Sequence, residues 1–390
     1  MNKMRLWLPV LVGFVMTNGF AEGEQPFKII NTIRVGYNDN LYHSPDGSEE
    51  DTVFVTDTID LSYHAAFSDR TDLMLKSRVN VQSDTEGTDV YPQLFATLNH
   101  SVSPRVLLGL SEHFQSGDRT GRDGYTAANT RLGFFENTAG LSADYLFNEK
   151  NRMSVSGNYT VLRNEDDEKW VQNDYTTIGG GLSWNHEIFP HRTFSSLNLN
   201  HRYTDYDNRT NTTFDATDIY LGIGHTFNPE WQCNFNIGES YVSPSVEGAG
   251  STSKSSMSPL VSAGLVYSPS PMTKLSADAD YRYSESGDRR FGGQKTAVFS
   301  LGAQHNLTAK LGAKATVRFA NIEYDEDAAI AGSDSSKEDR LDIDFRLTYR
   351  LNRIHSLEAG IRHSEKDRDT VIDQDWKQNV VDLGWRVELN

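Results

Sequence analysis

The chain holds one cysteine, Cys233, in 390 residues, so no disulfide can form within it. Its neighbours place that thiol on the outward face of a strand, as a small apolar side chain. Beyond the first two dozen residues, no run approaches the ~18 apolar residues that a membrane-crossing helix needs. Low mean hydropathy still leaves membrane insertion open, because half of every strand in a transmembrane barrel faces water. Basic residues are also short: 37 Lys and Arg stand against 54 Asp and Glu, a net charge of -17. Such acidity argues against nucleic acid as a partner. There is no Gly-x-Ser-x-Gly or His-Glu-x-x-His motif, no calcium-loop spacing and no repeat of fixed period. An enzyme is therefore not expected, nor is a metal or other cofactor.

What the chain does contain begins with an address. Lys3 and Arg5 precede an apolar stretch from Leu6 to Met16, followed by Gly19-Phe20-Ala21. This pattern predicts a secretory signal peptide over residues 1–21, cut after Ala21, and a mature domain over 22–390.

From Phe27 onward, about eighteen segments alternate apolar and polar residues with the period of a strand. In the last one, Val381, Leu383, Trp385, Val387 and Leu389 share one face, while Asp382, Gly384, Arg386 and Glu388 share the other. Leu341, Ile343, Phe345, Leu347 and Tyr349 likewise oppose Asp342, Asp344, Arg346, Thr348 and Arg350. Leu275, Ala277, Ala279, Tyr281 and Tyr283 form a third apolar set.

Tight turns, such as Ser103-Pro104-Arg105 and Pro269-Ser270-Pro271, alternate with long polar connections around 43–52, 83–90, 116–132, 163–174, 205–214, 243–256, 284–294, 323–338 and 364–374. Aromatics near strand ends (Tyr63, Trp184, Trp231, Tyr267 and Trp385) suit interface girdles. The combination predicts an all-β, antiparallel, up-and-down transmembrane barrel of about eighteen strands in a Gram-negative outer membrane. The first strand follows the cleavage site closely and the last ends the chain, an arrangement that predicts neither plug nor passenger.

A barrel of this strand number is wide enough for a water-filled bore. Inward parity assigns Arg34, Lys76, Arg78, Arg202, Arg282, Lys314, Arg318, Arg346, Arg350, Arg362 and Arg386 to its lining. Asp278, Asp280, Asp342, Asp344, Glu358 and Asp382 face the same way, with Asp60, Asp72, Asp144 and Glu388. This near balance predicts cross-strand ion pairs that stiffen the wall in preference to a one-sign selectivity ladder. Surplus acid is then expected as solvated loop charge: Asp46 to Asp51, Glu165 to Glu168, and Glu323 to Asp327 with Asp334, Glu338 and Asp339. Trp170, Tyr203, Tyr206 and Phe291 are expected in or near loops, either packing or stacking on sugar rings. The histidines are scattered, and several read as interface residues near strand ends.

The opening strand, Val35-Gly36-Tyr37-Asn38-Asp39-Asn40-Leu41-Tyr42, leads through Asp51-Thr52-Val53-Phe54-Val55 into the second. Gly36, Tyr37, Asp39 and Asn40 resemble the opening of the putative β-barrel porin-2 family. With the strand layout, the resemblance extends over almost the whole mature chain. Members are outer-membrane barrels, and some act as the terminal porin of exopolysaccharide export. The resemblance thus implies a polar channel for a secreted polysaccharide, working with a periplasmic export partner. Uptake of small solutes and a structural or adhesive role remain open beside it. Outer-membrane lipid, lipopolysaccharide and the barrel assembly machinery are the other expected partners. The chain departs from the common aromatic terminus by ending Val387-Glu388-Leu389-Asn390, with Trp385 its nearest aromatic. Its alternation is intact, so insertion is still expected.

Overall fold

A computed structural model describes residues 26–41, 43–45, 47–85, 87–118, 133–164, 174–207, 212–246, 255–285, 291–326, 336–368 and 375–389. The proposed leader, Asp46, Glu165 to Glu168, Trp170, Asp327 and Asp334 lie outside the described residues, as does the side chain of Phe291.

Strands β1 (Phe27–Asn38), β2 (Thr52–Ser68), β3 (Thr71–Ser83), β4 (Thr88–Ser103), β5 (Val106–Asp118) and β6 (Gly133–Asn148) follow in order. Next come β7 (Asn151–Asn164), β8 (Tyr175–Phe189), β9 (Thr193–Tyr206), β10 (Thr212–Asn228), β11 (Trp231–Val246) and β12 (Ser256–Ser270). The circuit ends with β13 (Thr273–Glu285), β14 (Phe291–Asn306), β15 (Leu311–Glu326), β16 (Ser336–Arg350), β17 (His355–Arg368) and β18 (Trp376–Leu389). Each pairs antiparallel with its neighbours in sequence, and β1 pairs with β18 from Ile29↔Leu389 to Asn38↔Val380. The result is one closed 18-stranded up-and-down barrel. Closure leaves no sheet edge, the condition for carrying strands through hydrocarbon.

Strands of 12 to 17 residues exceed the ~9–11 that cross a bilayer, so their upper ends project beyond it. The apolar parity faces outward: Ile33, Val35, Ile219, Leu221, Phe345 and Leu383 are among many large side chains exposed there. Near the short turns, ring pairs mark one girdle: Phe27–Tyr63 at 4.6 Å, Trp231–Tyr267 at 4.0 Å and His355–Trp385 at 5.6 Å. Thr71–His100, Thr193–His225 and Thr273–His305 add hydrogen-bonded pairs of 2.7–2.9 Å at the same end. Cys233 sits outward between His225 and Leu265, half-buried. Polar exceptions interrupt the outward face. Asp57 accepts from Asn31 at 2.5 Å, and Glu112 lies between Ala96 and Ala139.

Several expectations need correction. The connection expected over 83–90 is short, because β3 runs to Ser83 and β4 starts at Thr88. The β12–β13 turn centres on Pro271 and Met272, one step later than expected. Glu323, Asp325, Glu326, Glu338 and Asp339 belong to strands, Glu323 beside Lys295 (3.8 Å) and Lys337 (3.7 Å), so they are not loop charge. Tyr206 ends β9 and is buried, instead of standing free in a loop. Tyr283 has outward parity but is buried against Tyr206, Phe214, Ala216 and Val242.

The cause of that last departure is a proline. Ser268 N–H donates to Glu230 O at 2.7 Å, which sets the phase of the β11–β12 ladder. Amides in an antiparallel strand point alternately to its two neighbours, so even-numbered β12 amides face β11 and odd-numbered ones face β13. Pro259 therefore stands where β13 needs a donor, and has none. The β12–β13 ladder stops two residues earlier, at Val261↔Tyr281, while both strands continue against their other partners. Pro92 acts alike: Ser101 N–H donates to Arg70 O, which turns Pro92 toward β5, and the β4–β5 ladder stops at Gln93↔Gln115.

Candidate functional site

Every charged residue assigned to the lining lies on the parity opposite the exposed apolar side chains, in strands whose registers agree with that placement. The structure brings many of them together as ion pairs. Arg78 meets Asp60 at 2.6 Å, Arg282 meets Asp280 at 2.6 Å, and Arg362 meets Asp344 at 3.5 Å. Arg386 bonds Glu388 at 2.9 Å, which also holds Lys28 at 2.5 Å. Asp342 accepts from Ser364 at 2.8 Å, although Arg318 is its register partner.

The densest network lies across the closing strands. Arg34 on β1 contacts Glu358 at 2.7 Å and Asp382 at 3.6 Å. Arg346 on β16 contacts the same two carboxylates, Asp382 at 3.0 Å and Glu358 at 3.5 Å. Two arginines and two acids thus tie four successive strands together where the chain meets its own beginning. Gly360 makes this possible: a Cβ there would stand 2.6 Å from Asp382 Oδ2 and 2.7 Å from an Arg346 nitrogen.

The opening motif clamps the same junction from the extracellular end. Asp39 accepts from the Asn379 amide (2.6 Å) and side chain (2.7 Å). Asn40 is fully buried and donates to the carbonyls of Ser44 (2.7 Å) and Lys377 (2.8 Å), while accepting from Ser44 N–H at 2.7 Å. Gly36 leaves space for the Phe54 ring, which a Cβ would strike at 2.4 Å. Tyr37 reaches Asp51 at 3.1 Å. These four residues, recognisable in sequence only as a signature, lock β1, β2 and β18 to the first connection. Asn40→Ala removes three buried hydrogen bonds worth roughly 1 kcal/mol each and strands their partners. We expect it to loosen the connection by about 2–4 kcal/mol, read as faster protease cleavage within 43–50. Unchanged cleavage would refute the clamp.

His43, with φ of 54°, lays its ring on Trp376 at a centroid distance of 4.0 Å. Burial lowers its pKa from the ordinary 6.5, against a hydrogen bond with Gln378 that raises it; Lys366 and Arg340 add to the lowering, and Asp342 opposes it. The released connection therefore binds more protons than the docked one at pH below about 6.5, so docking weakens on acidification and is complete above that value. Cleavage in this connection should accelerate between pH 7.5 and 5, and His43→Phe should remove the dependence. A pH-independent wild type would contradict this.

Nearby, Glu338 is buried between Arg340, Lys366 (3.9 Å) and Arg368 (3.5 Å), with Tyr324 donating at 3.2 Å. The sequence hid this cluster because its acid stands in an apparently loop-like acidic run.

Beside the closing network, a cavity of about 880 Å³ opens into the bore. Its lining mixes Thr56, Thr58, Asn80, Gln82, Gln93 and Gln115 with the paired charges Arg34, Glu358, Arg78 and Asp60, and with Arg386. Amides and hydroxyls there offer both donors and acceptors to a passing hydrophilic solute.

Ion pairing does not consume every cation. Lys76 on β3, and Lys314, Arg318 and Arg350 on β15 and β16, make no ion pair among the described residues. Arg350 stands level with Lys310, Lys314 is opposite Arg346, and Arg318 is opposite Asp342, so three cations rise along one stretch of wall. Asp278 on β13 also lacks an ion-pair partner there, whereas Arg202 is engaged. The expectation of cross-strand ion pairs thus holds for Arg34, Arg78, Arg346 and Arg362, whereas Arg282 and Arg386 pair within their own strands and the rail pairs with nothing among the described residues.

A closed 18-stranded barrel with an apolar exterior and a charged, hydrogen-bonding interior is an outer-membrane β-barrel of the porin type. The family model described as putative beta-barrel porin 2 matches residues 112–389, and the chain belongs to that family. The matched span excludes Gly36, Tyr37, Asp39 and Asn40, the residues that carried the resemblance. No curated protein matches the chain. Among solved structures, OccK2 (OpdF) of Pseudomonas aeruginosa in complex with glucuronate is 10% identical, with a TM-score of 0.52, over 93% of this chain and 98% of that one. The outer membrane protein opdK of the same organism is 12% identical, with a TM-score of 0.51, over 95% and 100%. At these identities the likeness concerns the fold.

Proposed function

We propose that the protein is a passive outer-membrane channel for small hydrophilic solutes, with small carboxylates such as sugar acids as its preferred class. The observation that carries this reading is the cationic rail of Arg350, Lys314 and Arg318 beside a lining rich in amides and hydroxyls. Unpaired cations lower the free energy of an anion at several successive positions, and no single site holds it tightly enough to stop its passage. The glucuronate complex of a barrel with the same fold agrees with a carboxylate-bearing sugar as solute. Export of a secreted polysaccharide rests on family resemblance alone, and no feature of the lining favours it over small-solute passage.

The test uses the full-length barrel in planar bilayers and in swelling liposomes. We expect anion-over-cation selectivity in a salt gradient, and faster swelling in glucuronate than in a cationic sugar of equal size. Cation selectivity, or no conductance at all, would overturn the reading.

A further inference from the structure

Four strands separate the cationic rail on β15 and β16 from another bore-facing surface, on β3, β4 and β5. The carboxamides of Gln82, Gln93 and Gln115 line the cavity from these three strands, and none of them makes a hydrogen bond among the described residues. Gln93 stands directly opposite Gln115 in the ladder. Each carboxamide keeps two N–H donors and an acceptor for whatever enters the bore. The cations of the same cavity are ion-paired, Arg34 with Glu358, Arg78 with Asp60 and Arg386 with Glu388. Charge at its edges comes as one of each sign, Lys76 opposite Phe95 and Glu136 opposite Gln115. The surface therefore offers hydrogen bonds without a strong field of either sign.

Aromatic rings flank these amides on both sides. Toward the long connections, where Pro92 ends the β4–β5 ladder, Tyr91 and Phe134 lie over Gly117. A Cβ there would stand 3.2 Å from the Phe134 ring and 3.7 Å from that of Tyr91. Phe134 is buried and backs the half-buried Tyr91, which lines the cavity. One rung to the other side of the amides, Phe95 faces His113 across the ladder, with ring centroids 6.3 Å apart. Phe95 is 36% exposed on the bore side, whereas the exposed rings of β6, Phe135 and Tyr145, face lipid. A ring left against water gains when an apolar face covers it. Tyr91 and Phe95 are four residues apart on one strand, about 13 Å.

The occupant follows from this pairing of rings with unspent amides. An aromatic solute would cover the rings and leave the amides without partners. A linear polyol would satisfy the amides and leave the rings wet. A pyranose does both, because C–H groups cluster on a face of its ring while hydroxyls, each a donor and an acceptor, radiate from its edge. The cavity, at about 880 Å³, falls within the ~300–1,000 Å³ of small-molecule sites.

We propose that the wall from Tyr91 to Phe95 is a saccharide-binding subsite, which takes the neutral pyranose rings of a short sugar by stacking on Phe95 and Tyr91 while Gln82, Gln93 and Gln115 hold the hydroxyls. The subsite rests on the channel reading for its purpose, but not for its ability to bind.

The test is saturation-transfer NMR on the full-length barrel folded in detergent, with cellotriose as ligand and the linear polyol sorbitol and the aromatic phenol as controls. We expect saturable transfer to the ring C–H protons of cellotriose and none to sorbitol. Phe95→Ala should weaken cellotriose binding at least tenfold, whereas Phe95→Tyr should keep it within twofold. Gln93→Leu combined with Gln115→Leu preserves bulk but removes two amides, and should also weaken binding at least tenfold. Each variant is first checked for the folded, heat-modifiable gel band. No saturable binding by the wild type would overturn the subsite. So would equal binding of sorbitol, binding of phenol in place of cellotriose, or wild-type affinity in Phe95→Ala. A barrel that binds cellotriose but passes no current would sink the channel and leave the subsite standing. Anion-selective current without cellotriose binding would sink the subsite alone.

Discussion

Replacing Lys314, Arg318 and Arg350 together by Glu should reverse the sign of the zero-current potential in a salt gradient and slow glucuronate entry at least tenfold. Each cation acts on a passing anion through water, where a charge pair near contact is worth about 1 kcal/mol. Reversing three of them changes attraction into repulsion along a continuous stretch of wall. At each position the swing from attraction to repulsion is about 2 kcal/mol, more than the ~1.4 kcal/mol that corresponds to a factor of ten. Lys76→Glu is the comparison: it also reverses a cation with no ion pair among the described residues, but on β3, apart from the rail, and should shift the potential only slightly. If the triple variant and Lys76→Glu behave alike, diffuse net charge governs the bore and the rail has no special role.

Glu358→Ala should have the largest effect on stability. Glu358 is 7% exposed and sits between Arg34 and Arg346, so its loss leaves two guanidinium groups sharing Asp382 alone. Removing one partner of a buried pair typically costs about 3–5 kcal/mol. The low end, about 3 kcal/mol, is expected because Asp382 remains. The readout is the urea midpoint in vesicles, together with the temperature at which the compact gel band disappears. A double change, Arg34→Met with Glu358→Met, should recover most of the loss, since it removes the stranded charge. A single variant as robust as the wild type would show that closure depends on the backbone ladder alone.

How much of this was legible from residues alone differs from element to element. Strands such as β16 and β18 announce themselves, because one period of two assigns every side chain to a face. Parity likewise put Arg34, Glu358, Arg346 and Asp382 on the same face. It could not show that Gly360 lets Arg346 lie across to Asp382, since that depends on three strands in register. Glu338 reads as solvated charge because its acidic neighbours resemble a loop run, whereas pairing with β17 surrounds it with cations. The rail on β15 and β16 was invisible to a count of charges. A near-zero sum does not reveal which residues find partners.

The prolines teach the same lesson more sharply. Pro259 is plain in the sequence, but its consequence depends on which neighbour its missing N–H faces. Ladder phase decides that, and phase is set by the turn and the pairing partner.

Alternation with period two sufficed to specify a barrel, its strand number and which side chains meet lipid, because the membrane imposes one rule on every strand. Register, ion-pair partners, the clamp at Asn40 and the interrupted ladder at Pro259 came only from the closed sheet. Those features depend on which residues of different strands stand opposite one another, and a one-dimensional pattern carries no such distances.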